Sequence, residues 1–244
     1  MRWALSHQAR DVLRRFMNSK VLLAFDFDGT LAPITTYPEQ ARMRTRTQVL
    51  LRQLASLHPC IVISGRSRSD LSKRLAGTGI LRLIGNHGAE QGEVEPETCR
   101  QIELWRDALV QKLFPLAGLR VENSGLSLTV HYRNCLRKAT ARCEILKAVR
   151  LIPGGRVIAG KEAISLVPKN APNKGSALCE ELAHLACKHA LYVGDDETDE
   201  DVFALRESLH LVTIRVGRTL RSKAEFFLRG QYEINDLLEN LISC

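Results

Sequence analysis

The chain of 244 residues has no apolar stretch long enough to span a membrane. Its N-terminus, Met1-Arg2-Trp3-Ala4-Leu5-Ser6-His7, lacks the long apolar core of a secretion signal. No membrane role is therefore expected, and the cytoplasm is the expected compartment. Aromatic residues are scarce, at 5%. The basic excess, a net charge of +8, is scattered and forms no block. Few rings to stack bases and no basic run argue against nucleic acid as a partner, whereas a positive balance suits phosphorylated metabolites. The cysteines, at 60, 99, 135, 143, 179, 187 and 244, are odd in number and include no Cys-x-x-Cys or Cys/His pair at zinc spacing. Free thiols in a reducing compartment are the expected state. There is no internal repeat and no low-complexity segment.

What is present is organised around residues 21–34, Val-Leu-Leu-Ala-Phe-Asp-Phe-Asp-Gly-Thr-Leu-Ala-Pro-Ile. The apolar run 21–25 is short enough for a strand and apolar at every position, as a central parallel strand must be. Side chains alternate along a strand, so Asp26 and Asp28 leave its end on the same side. Gly29 lets the chain turn there, and Thr30 offers a hydroxyl. Two neighbouring carboxylates repel, which a divalent cation, a proton on one of them, or both can resolve. Magnesium takes oxygen ligands and leaves room for phosphate oxygens. One carboxylate is then available as nucleophile and the other as general acid and base.

The rest of the chain supplies a frame for that strand. A helix is expected over 6–17, a helix over 45–57 with Val49, Leu50, Leu54 and Leu57 inward, and a strand over 60–63 ending in Ser64-Gly65-Arg66. Ser67 or Ser69 caps a helix to 75, and a strand over 81–84 ends in Gly85-Asn86-His87-Gly88-Ala89-Glu90. The rhythm then changes. Helices over 98–114 and 136–149 accompany two hairpins, 119–123 with 126–132 and 156–159 with 163–167, the second turning at Gly160-Lys161. Parallel rhythm returns with a helix opening at Asn173-Lys174-Gly175, a strand over 190–193 running into Gly194-Asp195-Asp196-Glu197-Thr198-Asp199, a last strand over 211–216 and a helix over 234–242. The expected fold is α/β: a doubly wound parallel-sheet, Rossmann-like core from residues 1–90 and 169–244, with an inserted α/β cap at 91–168.

Open α/β sheets carry their chemistry at the carboxyl ends of the strands. There Asp26 can attack phosphorus, and Asp28 can protonate the leaving alkoxide and then deprotonate water. Thr30, Ser64, Gly65 and Lys174 are candidates to hold phosphoryl oxygens, Lys174 as a point charge at a helix start. Asp195 can complete a magnesium site with Asp26 and the main-chain carbonyl of Asp28, with Asp196 and Asp199 in support.

This combination resembles the haloacid dehalogenase-like phosphohydrolases. The separation of 110 positions from Ser64 to Lys174 leaves room for a cap of the sugar-phosphatase type. Several stretches are similar to the trehalose-6-phosphate phosphatase family: Asp-Gly-Thr-Leu-Ala-Pro-Ile (28–34), Ile-Ser-Gly-Arg (63–66), Gly-Asn-His-Gly-Ala-Glu (85–90), Thr-Val-His-Tyr-Arg (129–133) and Gly-Asp-Asp-Glu-Thr-Asp-Glu (194–200). The resemblance implies magnesium-dependent hydrolysis of trehalose 6-phosphate, with Arg66, His87, Glu90 and Glu122 in the substrate pocket. It implies a phosphorylated sugar as substrate and a cognate sugar-phosphate synthase as partner, and a monomer is expected. Three cap positions depart from the family pattern: Ser124 stands for a lysine, Ser165 for a glutamate and Val167 for a basic residue. The alternative expectation is therefore the same chemistry on another sugar or glycoside phosphate.

Overall fold

The computed structural model describes residues 1–90, 96–113, 116–160 and 162–244. The expected cap start at Gln91, the expected helix end at Phe114 and the Lys161 half of the second hairpin turn lie outside them. The described chain divides into two compact units, Met1–Gly88 with Asn173–Cys244, and Ala89–Pro172.

In chain order the first unit begins with β1 (Arg2–Trp3), α1 (His7–Met17), β2 (Val21–Phe25), α2 (Thr45–Leu57), β3 (Cys60–Ile63), α3 (Arg68–Arg74) and β4 (Arg82–Ile84). The second unit follows with α4 (Pro96–Leu113), β5 (Arg120–Asn123), β6 (Leu128–His131), α5 (Lys138–Arg150), β7 (Gly155–Gly160) and β8 (Ala163–Pro168). The first unit resumes with α6 (Lys174–His184), β9 (His189–Gly194), α7 (Glu200–Phe203), β10 (His210–Val216), β11 (Phe226–Leu228) and α8 (Ile234–Ile242).

The first unit's strands form one sheet in the order β1-β11-β10-β9-β2-β3-β4, parallel at every pairing. Successive strands run outward from β2 through β3 to β4, and outward on the other side from β9 through β10 to β11. The order therefore reverses between β2 and β9, the place where an open α/β sheet leaves a crevice at its carboxyl edge. Phe25 lies opposite Val193, and the Asp26 N–H donates to the Val193 carbonyl at 2.9 Å, so the segments after both strands leave the sheet side by side. Alternate residues of β2 feed different cores, as the pleat requires. Val21, Leu23 and Phe25 pack with Leu13, Leu54, Leu71 and Leu237, while Leu22 and Ala24 pack with Ala177, Leu178 and Phe203. Helices thus cover both faces.

Two expectations need correction. Val49 and Leu57 are 48% and 58% exposed, whereas Thr47, Leu50, Leu51 and Leu54 are buried. That set follows the i, i+3, i+4, i+7 pattern better than the apolar residues alone, and the Thr47 hydroxyl is satisfied by donating to Asn235 Oδ1 of α8 at 2.8 Å. The strand at 211–216 is not the last. β11 follows it and is flanked by β1, and these pieces of three and two residues are too short to carry a periodic signal.

The second unit is a four-stranded antiparallel sheet, order β5-β6-β8-β7. Leu128, Val130, Ile164 and Leu166 face α4 and α5, against Ile102, Trp105, Leu109 and Ile145. The other face carries the row Glu122–Thr129–Ser165, set by strand register. Among the described residues no helix is long and apolar enough to cross a membrane.

Candidate active site

The site grows from the end of β2. Strand alternation carries Asp26 into the crevice, where it is 4% exposed. Its Oδ1 accepts from Lys174 Nζ at 2.9 Å. Lys174 is the first residue of α6, whose start is fixed by a capping box between Asn173 and Ser176. The same ammonium donates to Asp199 Oδ1 at 2.8 Å, and Asp199 also accepts from the Tyr192 hydroxyl at 2.7 Å. Asp199 is completely buried. Lys174 therefore bridges two buried carboxylates from the segments that follow β2 and β9.

Burial sets the protonation in this group. It holds the Asp26 carboxyl well above the ordinary carboxylate range, against the pull of Lys174, and the charges of Asp199 and Asp195 add to the rise. Burial also opposes ionisation of Asp199, but Lys174 and the hydrogen bonds from Lys174, Tyr192 and the Asp196 N–H outweigh it, and its carboxyl lies below the ordinary value. Burial would discharge Lys174, yet Asp199 and Asp26 together raise it well above the usual lysine range.

Asp195, after β9, lies against the turn made by Gly29. That glycine has φ +82°, and a Cβ there would overlap the Asp195 carboxylate. Carboxylate oxygens of Asp26, Asp195 and Asp199 lie within 4.8 Å of one another, all three residues being buried. Lys174 pairs with two of the three, Asp26 and Asp199, and like charges gathered this closely are relieved by a proton kept on the raised Asp26 carboxyl or by a further cation. An all-oxygen set of this kind suits a hard divalent ion such as magnesium. The expected metal ligands Asp26 and Asp195 thus stand together, and Asp199 is the third member of their cluster. The Asp28 carboxylate is elsewhere, leaving its main-chain carbonyl as the group it can offer.

Asp28 is held by Arg66. The guanidinium donates from Nε to Asp28 Oδ2 at 2.6 Å and from Nη2 to Oδ1 at 2.7 Å, a fork on a carboxylate. Burial would lower the charge on Arg66, and Asp28 and Asp70 raise its pKa above the ordinary arginine value. Ser64 is buried, and its Oγ accepts from the Arg66 N–H at 3.3 Å. The Thr30 Oγ1 is buried with no hydrogen-bond partner among the described residues, which leaves a donor for an oxyanion. Asn86 and His87 both take left-handed backbone, at φ 50° and 58°. That bend lays the His87 ring on Gly65, where an added Cβ would stand 2.5 Å from Cε1. Strained backbone of this kind clusters at functional sites.

The Asp196 carboxylate caps the short turn Glu197–Asp199, accepting from the Glu197 N–H at 2.6 Å. Glu90 and Glu122 belong to the second unit, where Glu122 pairs with His131 at 2.8 Å. Ser165 shares a hydrogen bond with Thr129 at 2.8 Å, and Val167 is buried. Sequence reasoning missed Tyr192, Asp70 and Arg215. The Arg215 guanidinium donates to the carbonyls of Asp195 at 2.7 Å and Asp196 at 3.0 Å and to Glu200 Oε1 at 2.8 Å, which fixes the acidic loop. Tyr192 had a signal: a buried strand tyrosine needs a partner for its hydroxyl.

Three comparisons bear on this arrangement. Residues 24–231 match the family model for trehalose-phosphatases. A trehalose-phosphate phosphatase of Mycobacterium ulcerans is 33% identical over 194 residues, covering 73% of this chain and 50% of the relative. The chain thus spans about half the length of the mycobacterial relatives it matches. A probable trehalose-phosphate phosphatase of rice is 28% identical over 98% of this chain and 72% of its own length. Among solved structures, the C-terminal domain of Candida albicans trehalose-6-phosphate phosphatase superposes with a TM-score of 0.84 over 96% of both chains, at 23% identity, a likeness of fold.

Proposed function

The chain belongs to the trehalose-phosphatase family, and we propose that it hydrolyses trehalose 6-phosphate to trehalose and inorganic phosphate. The reading is that of a phosphoric monoester hydrolase with a haloacid dehalogenase-like core. Asp26 attacks phosphorus, the bond from phosphorus to the sugar oxygen breaks, and Asp28 gives its proton to the departing alkoxide. Asp28 then takes a proton from the water that cleaves the aspartyl-phosphate. Lys174, Ser64 and the Thr30 hydroxyl hold phosphoryl oxygens, with Gly65, Arg66 and His87 around them. Asp26, Asp195 and the main-chain carbonyl of Asp28 would hold a magnesium ion, whose charge, when bound, offsets that of the phosphoryl oxygens.

One observation carries this reading. Two carboxylates two residues apart sit in opposite surroundings, Asp26 sealed against Lys174 and Asp28 at the rim, its side chain 38% exposed, on Arg66. Such a split suits one nucleophile and one acid/base. Residues 1–90 and 169–244 act as the catalytic core and 91–168 as a cap, with Glu90 at the end of the first core segment and Glu122 in the cap selecting the substrate. The protein works as a cytoplasmic monomer on the product of a sugar-phosphate synthase.

A second reading, the same chemistry on another sugar phosphate, is favoured by the cap sheet. The Ser165 hydroxyl is engaged by Thr129, and buried Val167 offers no charge. A site built to bind a hydroxyl discriminates steeply, so altered partners alter the sugar accepted. Phosphate release with magnesium from trehalose 6-phosphate, glucose 6-phosphate and other glycoside phosphates separates the two. Selective release from trehalose 6-phosphate supports the first reading, and a clear preference for another sugar replaces it with the second. Release from none, or full activity in Asp26→Asn, refutes both.

A further inference from the structure

Arg66 enters the site as an expected substrate ligand, yet its donors are directed to protein oxygens. Nε and Nη2 fork the Asp28 carboxylate, Nη2 also donates to the Pro38 carbonyl at 2.6 Å, and Nη1 donates to Asp70 Oδ2 at 2.7 Å. The guanidinium stands 5.5 Å from the centroid of the Phe27 ring. Its side chain is 12% exposed, and two carboxylates already balance its charge. A phosphate taking the forked edge would have to displace Asp28.

The contacts continue outward. Asp70 Oδ2 also accepts from Arg74 Nε at 2.7 Å, and Arg74 donates to the carbonyls of Glu39 and Ala41. Asp70 and Arg74 lie on α3, whose start is capped by Ser67. The order Asp28–Arg66–Asp70–Arg74 therefore alternates in charge and ends on the backbone of 39–41. Every member but Asp28 is anchored on two sides, so rigidity runs toward Asp28.

We infer that Arg66 is a positioning residue that orients the Asp28 carboxylate, with Asp70 and Arg74 holding Arg66, and is not a ligand of the substrate phosphate. An ionised carboxylate has about four lone-pair sites, and the fork uses two, one on each oxygen. The others stay available to carry a proton. When the bond from phosphorus to the sugar oxygen breaks, its electron pair stays on that oxygen, which takes the proton from Asp28 and leaves Asp28 as the carboxylate that Arg66 holds. Misplacing a reacting group by about 1 Å can cost about 100-fold in rate, so the fork is worth having at a rim side chain.

The inference rests on the acid role proposed for Asp28, and the test separates the two. We would measure kcat/KM for the sugar phosphate and for p-nitrophenyl phosphate, whose leaving group needs little protonation, together with inhibition by inorganic phosphate. The variants are Asp28→Asn, Arg66→Gln, Arg66→Lys, Asp70→Asn and the double variant Asp28→Asn/Arg66→Gln. Arg66→Gln is expected to lower kcat/KM about 100-fold on the sugar phosphate and under about threefold on p-nitrophenyl phosphate, the range of one general acid. Adding it to Asp28→Asn changes nothing further, because groups that act through one another are not additive. Arg66→Lys keeps the charge without the fork and recovers under about a tenth of the loss. Inhibition by phosphate stays unchanged. Asp70→Asn gives the same selectivity in weaker form and serves if Arg66→Gln does not fold. Equal losses on both substrates, additivity in the double variant, or weaker phosphate inhibition overturns the inference. If Asp28→Asn itself lacks the leaving-group signature, the acid role falls, and the positioning role falls with it.

Discussion

Replacing the proposed nucleophile should stabilise the protein when no metal is bound. Asp26→Asn removes one charge from a group of three buried carboxylates and one ammonium. At an effective dielectric of 20, the lost attraction to Lys174 at 2.9 Å is about 6 kcal/mol. Repulsions from Asp195 and Asp199, each within 4.8 Å, are relieved by about 3.5 kcal/mol apiece, about 7 together. The balance favours the variant by about 1 kcal/mol before solvation. Removing a buried charge also relieves a desolvation penalty of about several kcal/mol, from which an imperfectly paired amide NH₂ takes back about 1–3. The amide oxygen still accepts from Lys174. A net gain of about 2 kcal/mol follows, or about 4–8 °C in the unfolding midpoint for a chain of this size.

The pH dependence has a definite sign. Burial raises the Asp26 carboxyl above its ordinary 3.8 in the fold, so its contribution to stability is fully present below that value and is lost as pH rises through the folded pKa. The advantage of Asp26→Asn should therefore open as pH rises and close in acid. Magnesium should narrow it, since an ion at about 100 times its Kd stabilises the wild type by about 2.7 kcal/mol. Thermal unfolding across pH, in chelator and in magnesium, checks all of this. A variant less stable than wild type by more than about 1 kcal/mol in chelator at neutral pH, or one protected by magnesium as well as the wild type is, would refute the charge accounting.

Lys174→Met is the converse change. It removes the cation that Asp26 and Asp199 share, so the metal-free protein should lose about 3–5 kcal/mol in urea unfolding, and magnesium should restore part of it. Gly29→Ala adds backbone strain of about 1 kcal/mol at φ +82° and pushes on Asp195. Its magnesium affinity by calorimetry should fall at least about tenfold, while the fold survives. Arg82→Ala removes the partner that holds Glu181 Oε1 at 2.9 Å, in a carboxylate 2% exposed. A loss of about 2 kcal/mol is expected by urea unfolding, reduced when Glu181→Gln is combined with it.

Strands β2 and β3 were legible to the residue and β9 to within one residue at each end, and the physical reason is burial on both faces. β2 and β3 are unbroken apolar runs, and a polar residue ends each where the chain reaches the crevice. Asp26, Ser64 and Asp195 stand out on that account, and Lys174 because Asn173 announces a helix start. Edge strands were not legible: two residues in β1 and three in β11 carry no period. The inward face of α2 was misread because Thr47, a polar residue made acceptable inside by Asn235, outranks Val49. Asp199 was placed in a supporting role because nothing in a run of acidic residues marks which member turns inward, whereas Tyr192 and Lys174 draw it fully inside. Arg215 has no local signature, since what defines it is a contact across the fold, and Asp70 and Arg74 carry only the i, i+4 spacing common to helix charges, which does not distinguish a solvated pair from one that holds Arg66.

Those unannounced contacts explain how one short segment holds two carboxylates in different states. Each is bridged by a cation to a second carboxylate, Asp26 through Lys174 to Asp199 and Asp28 through Arg66 to Asp70. The cations differ in the way the positions require. A sealed pocket admits a compact ammonium, whose hydrogen bonds are rotatable and whose partners can turn toward a metal or a phosphoryl group without losing the charge. At the rim, water competes for every hydrogen bond, and a point charge would leave Asp28 free to pivot. A planar fork constrains it in two places. Exchanging the two cations should therefore fail in both directions: arginine has no room at 174, where the side chain is 2% exposed, and lysine at 66 keeps the charge and loses the orientation.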